Sequence, residues 1–157
     1  MRASVSSTII ALAIALAPSP LLAGEAVPGN AVLARASGDA LVLWDATTIV
    51  ASIVKNKTND ATANDLLAHD ATRVLGGIAP SVNKSAKTVS VEIMYNKTGD
   101  VSPVYGSPTF MGVESYATIT VTISDLRAHE RAWKDLDPKS PLPASIAFKV
   151  TGELPPR

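Results

Sequence analysis

The chain contains no cysteine, which excludes a disulfide framework, a lipid-anchoring cysteine and a thiol nucleophile. It has little aromatic residue content, 4%, and no run of lysine or arginine; its 14 basic residues are matched by 14 acidic ones. Removing Arg2 with a leader would leave 13 basic residues against those 14 acidic ones. Nucleic-acid binding needs a basic footprint, and single-strand binding needs aromatic platforms, so no nucleic-acid role is supported. No Gly-x-Ser-x-Gly elbow, no His-Glu-x-x-His and no glycine-rich phosphate loop ahead of a helix occurs in the sequence. No cofactor is implied. What remains is a chain of 157 residues, 46% hydrophobic, long enough to bury a core as one domain without staples.

The beginning of the sequence carries an export signature. Arg2 supplies a positive region, Ile9 to Ala17 is apolar, and Pro18 and Pro20 break the run before Leu21-Leu22-Ala23. A membrane span needs about twenty apolar residues, so this shorter, interrupted run reads as a signal peptide, residues 1–23, rather than a stable anchor. Ala26 is a second possible cleavage point. The expected location is periplasmic or secreted.

Residues 24–39 form a flexible N-terminal lead in this reading, punctuated by Pro28, Gly29 and Asn30 and closed by a turn at Ser37-Gly38-Asp39. The domain is expected over 40–152. Ala40 to Trp44 suits a buried strand, and Ala46, Ile49, Val50 and Ile53 recur at helical spacing after Asp45, which can serve as an N-cap. Thr47 to Val50 weaken that helix, because β-branched side chains lose freedom against the preceding turn. A clearer helix spans Asp60 to Leu75, with Ala63, Leu67, Ala71 and Val74 in one stripe and Gly76-Gly77 as its stop.

Two stretches alternate at period two. Thr88 to Asn96 places Val89, Val91, Ile93 and Tyr95 on one face, and Tyr116 to Ser124 does the same with Ala117, Ile119, Val121 and Ile123. Ser124 can then cap an amphipathic helix, Asp125 to Leu136, after which Pro138, Pro141 and Pro143 stiffen the return to a last strand, Ser145 to Thr151. Residues 153–157 form a C-terminal tail outside the sheet. The fold class is therefore α+β: a mainly antiparallel sheet of three or four strands with two or three helices packed on one face.

Two groups of residues invite functional readings. The connection from Lys97 to Ser115 is too long for a hairpin turn and carries Tyr105, Phe110 and Met111, a candidate recognition surface; these three could equally cap the core. The pentapeptides Asp65-Leu66-Leu67-Ala68-His69 and Asp125-Leu126-Arg127-Ala128-His129 each set a carboxylate and an imidazole four residues apart on a helix. Such a pair can chelate a metal, or Asp can orient His as a base; if the helices met, four ligands could converge. As solvated helix residues they need no function. The sequons at Asn56-Lys57-Thr58 and Asn96-Lys97-Thr98 read as turns.

The expectation is an exported, non-enzymatic binding or protein-interaction module whose partner is a protein or small ligand. The alternative is a small metal-dependent or acid–base enzyme using the paired Asp and His residues.

Overall fold

The computed structural model describes residues 30–35, 39–97 and 113–157. Among them the chain runs β1 (Asn30–Arg35), β2 (Ala40–Asp45), α1 (Thr47–Lys55), α2 (Asp60–Ile78), β3 (Thr88–Asn96), β4 (Val113–Thr122), α3 (Ile123–Lys134) and β5 (Ala147–Val150). The five strands form one sheet in sequence order. Every neighbouring pair is antiparallel except β2 and β3, which run parallel because the helical connection α1–α2 returns the chain to the same end. The architecture is α+β, with three helices and a mostly antiparallel sheet.

The alternation of β3 translates directly into burial: Val89, Val91, Ile93 and Tyr95 are buried while Ser90, Glu92 and Met94 are only half-buried. In register beside them lie Val42 and Trp44 of β2, and Ala117, Ile119 and Val121 of β4. The helices bring Val50 and Ile53, then Leu67, Val74, Leu75 and Ile78, then Leu126 and Trp133, onto this same face, and all belong to one core cluster. Each fully buried Leu or Ile contributes about 1.5–3 kcal/mol through apolar surface removed from water.

The opposite face carries no helix among the described residues. Its threonines, Thr118 and Thr120, are half-buried, and the Thr120 hydroxyl shares a 2.9 Å hydrogen bond with that of Ser90 across the strands.

Four local outcomes differ from the sequence reading. Asn30–Arg35, placed there in the lead, is a fifth strand; its Ala-rich sequence has little intrinsic preference for extended structure, and pairing with β2 supplies it. Helix α2 does not stop before Gly76-Gly77 but continues to Ile78 and ends in a short 3-10 turn, Ala79–Ser81. Gly76 is there for proximity: a Cβ at this position would lie 2.3 Å from the Lys134 nitrogen and 2.7 Å from the Glu130 carbonyl oxygen, so the bare backbone lets α3 cross against α2. Strand β4 ends two residues sooner than its alternation suggests, at Thr122. Thr122 caps α3 by accepting from the Asp125 amide at 3.2 Å, and Ile123 joins the helix. The cap of α1 is Ala46 rather than Asp45, which closes β2 and accepts both the Thr47 amide, at 2.9 Å, and the Thr47 hydroxyl.

Candidate functional site

One end of the sheet gathers the features a binding site needs. The carboxyl ends of the parallel pair, Asp45 and Asn96, lie there, with the start of β4 and the end of β5 beside them. In open sheets with helical crossovers, ligands bind outside the carboxyl ends of parallel strands, where the chain leaves the sheet and side chains converge. Here Thr47 knots the two ends together: its hydroxyl accepts from the Asn96 amide at 2.8 Å while donating to Asp45.

A bulge shapes this end further. Between Ile93 and Met94 the pairing shifts, Ile93 facing Ala117 but Met94 facing Ser115, so Tyr116 is the extra residue on β4. Strict alternation would send Tyr116 to the threonine face. The bulge turns it inward beside Ala117, where both are buried and the Tyr116 hydroxyl donates to the Asn64 side-chain oxygen on α2.

Across this end runs the segment Gly152–Arg157. It lies outside the sheet, as its prolines imply, yet it is fastened at every stage. The Thr151 and Gly152 amides both donate to the Tyr116 carbonyl, at 2.8 and 2.9 Å. Gly152 passes so close to β4 that a Cβ would sit 2.2 Å from the Ser115 carbonyl oxygen. The Tyr95 hydroxyl donates to the Glu153 carbonyl at 2.8 Å, Leu154 packs against the core, and the Arg157 guanidinium donates to the Thr58 carbonyl and the Asp60 carboxylate.

Three adjoining cavities follow this tail. The largest, about 550 Å³, is lined by Tyr95, Lys97, Glu114, Glu153, Leu154 and the two prolines. Another of about 370 Å³ lies among Asp60, Asn64, Tyr116 and the tail from Gly152. The third, about 300 Å³, is walled by Val50, Ala51, Val54, Lys55 and Pro155. Glu153 and Leu154 border the first two, while Lys97 and Pro155 border the first and third, making one trough with an apolar compartment, a polar one and a largest one of mixed lining. Lys97 and Glu114 face one another across it at 3.4 Å. Burial, followed by the charges of Glu114 and Glu153, raises the Tyr95 pKa; burial and Asp60 raise that of Tyr116, against the opposing charge of Arg157. Both phenols therefore stay protonated donors.

Of the residues named from sequence, none of those described lines the trough. Tyr105, Phe110 and Met111 lie outside the described residues. His69 is buried, with Nδ1 2.7 Å from the Asp65 carbonyl oxygen and 3.3 Å from the Asp65 carboxylate, and Nε2 2.6 Å from the Ser140 carbonyl oxygen. Both ring nitrogens are thus engaged by main-chain oxygens. Asp125 sits in the first turn of α3, accepting from the Thr122 hydroxyl at 2.8 Å, and His129 is exposed with its ring stacked on Trp133, centroids 5.6 Å apart. Among the described residues, no three His, Asp or Glu side chains are grouped closely enough to hold a metal ion.

Sequence reasoning missed Tyr95, Tyr116, Asn64, Asp60 and Arg157. One signal was present: a tyrosine among the apolar residues of a strand's inward face brings a hydroxyl that must find a partner. The chain was compared with protein-family models, curated proteins and solved structures, and none matches.

Proposed function

We propose that the protein is an exported, periplasmic, non-enzymatic binding module, and that its ligand site is the trough beneath the tail. The carrying observation is the trough itself: adjoining cavities of about 550, 370 and 300 Å³ at the carboxyl ends of the parallel strands, within the size range of small-molecule and peptide sites. Its composition supports the reading. The apolar wall of Val50, Ala51 and Val54 supplies affinity through surface burial, and Tyr95, Lys97 and Glu114 supply orienting polar groups. Export rests on the leader-like first 23 residues, and a cell fractionation in which the full chain stays cytoplasmic and uncleaved would remove that half of the reading.

The binding half is tested by a thermal-shift screen of small amphipathic compounds against wild type and Ala51→Trp. Ala51 is exposed on α1, so the larger side chain fills the apolar compartment without entering the core. Compounds that stabilise wild type and lose their effect on Ala51→Trp are the expected result. An empty screen, or compounds indifferent to the substitution, would place no ligand in the trough.

A further inference from the structure

The tail lies along the trough, seated on its receptor groups and forming part of the walls of the space left open. Glu153-Leu154-Pro155-Pro156-Arg157 is held by three kinds of contact, each of which reads a different part of an extended peptide. Tyr95 donates to a main-chain carbonyl, that of Glu153. Leu154 reaches the core, and Pro155, half-buried, forms the wall between the largest cavity and the apolar compartment. Arg157 is received by the Thr58 carbonyl and the Asp60 carboxylate at the start of α2. Proline lacks an amide proton, so at its prolines such a segment presents only carbonyls to its receptor, and phenolic hydroxyls with apolar slots suit it. Beyond Gly152, each of these contacts joins a group of the segment to a group elsewhere in the fold, so a separate peptide offering the same groups can meet the same partners.

We propose that the trough recognises proline-rich extended peptides of the pattern Leu-Pro-Pro-Arg, with the protein's own Glu153–Arg157 occupying the site in cis as a competing ligand. This rests on the binding-module reading of the same trough and names its partner class. A partner protein offering such a segment displaces the tail; tethering gives the tail a high effective concentration, so the site opens only to peptides present in quantity or bound more tightly. The cavities that remain around the tail leave room for larger flanking side chains than its own.

The test is fluorescence anisotropy with a labelled Gly-Glu-Leu-Pro-Pro-Arg peptide and the full chain. Leu154→Asp loosens the tail by making its apolar anchor charged; Arg157→Glu does so from the other end by setting two acids together at Asp60, and replaces Leu154→Asp if that variant does not fold. Weak binding to wild type, binding to the loosened variant tighter by about tenfold or more, and loss of much of that gain on adding Tyr95→Phe are expected. A peptide with Asp in place of Leu should not bind. No binding by the folded loosened variant, or equal affinity for wild type and variant, overturns the proposal. If compounds sensitive to Ala51→Trp still bind in that case, only the peptide inference falls; if they too fail, the trough reading falls with it.

Discussion

The Ser140 carbonyl oxygen lies 2.6 Å from Nε2 of His69, joining the proline-flanked segment before β5 to the middle of α2. Because Nδ1 lies 2.7 Å from a second carbonyl, that of Asp65, both nitrogens face acceptors, and a neutral imidazole carries only one N–H. Burial opposes the charged form, but the Ser140 and Asp65 carbonyls and the charges of Asp65 and Asp70 outweigh it and raise the pKa above 6.5. A raised folded-state pKa means that the contribution is complete below the unfolded value of 6.5 and is lost as pH rises through the folded one. Thermal unfolding followed across that window should show wild type losing stability toward alkaline pH, with this component absent in His69→Gln. A pH dependence identical in the two proteins would contradict the doubly donating imidazolium.

At the α2–α3 crossing, Gly76→Ala should destabilise by about 1–3 kcal/mol or more, because the added methyl meets backbone atoms of Lys134 and Glu130 that cannot rotate away. Urea unfolding checks this through a lower midpoint at unchanged slope. Gly77→Ala, the neighbouring position, serves as the comparison.

Lys57 holds a left-handed backbone, φ 50°, in the turn between α1 and α2. A side chain there costs about 1–2 kcal/mol that glycine avoids, partly offset by glycine's greater freedom when unfolded. Lys57→Gly is expected to raise the unfolding midpoint; its exposed side chain makes no core contact to lose.

Gly152→Ala acts on the tail. Its methyl would collide with the Ser115 carbonyl, so the chain must leave β5 along a different path and the Tyr95–Glu153 and Arg157–Asp60 contacts should be weakened together. Amide hydrogen exchange should speed up at Gly152 and beyond while the α2 core stays protected. Unchanged tail exchange would show that the tail does not depend on this crossing.

Much of the fold was legible because it is written locally. The boundaries of β3, and the inward set Val89, Val91, Ile93 and Tyr95, follow from alternation alone. The amphipathic stripe of α2 and the presence of α3 were equally readable. What escaped depends on distant parts of the chain. β1 becomes a strand through its neighbour, the two glycines of α2 look like a stop until α3 is placed against them, and a bulge reverses the side on which Tyr116 faces. The site was least visible of all. Tyr95 meets Glu153 across 58 positions and Asp60 meets Arg157 across 97, and no local pattern announces either pairing. The Asp-His pentapeptides, by contrast, were conspicuous as a motif, yet the fold buries one histidine against main-chain oxygens and leaves the other on an exposed helix face.

The most direct measurement of the central claim is amide chemical-shift mapping of the isotopically labelled protein during titration with the Leu-Pro-Pro-Arg peptide and with compounds from the thermal-shift screen. Shifts concentrated at Ala51, Val54, Asn96, Lys97, Glu114 and Glu153 are the predicted result. Binding that leaves those amides unmoved and shifts residues of the opposite sheet face, such as Glu92 and Thr118, would contradict it.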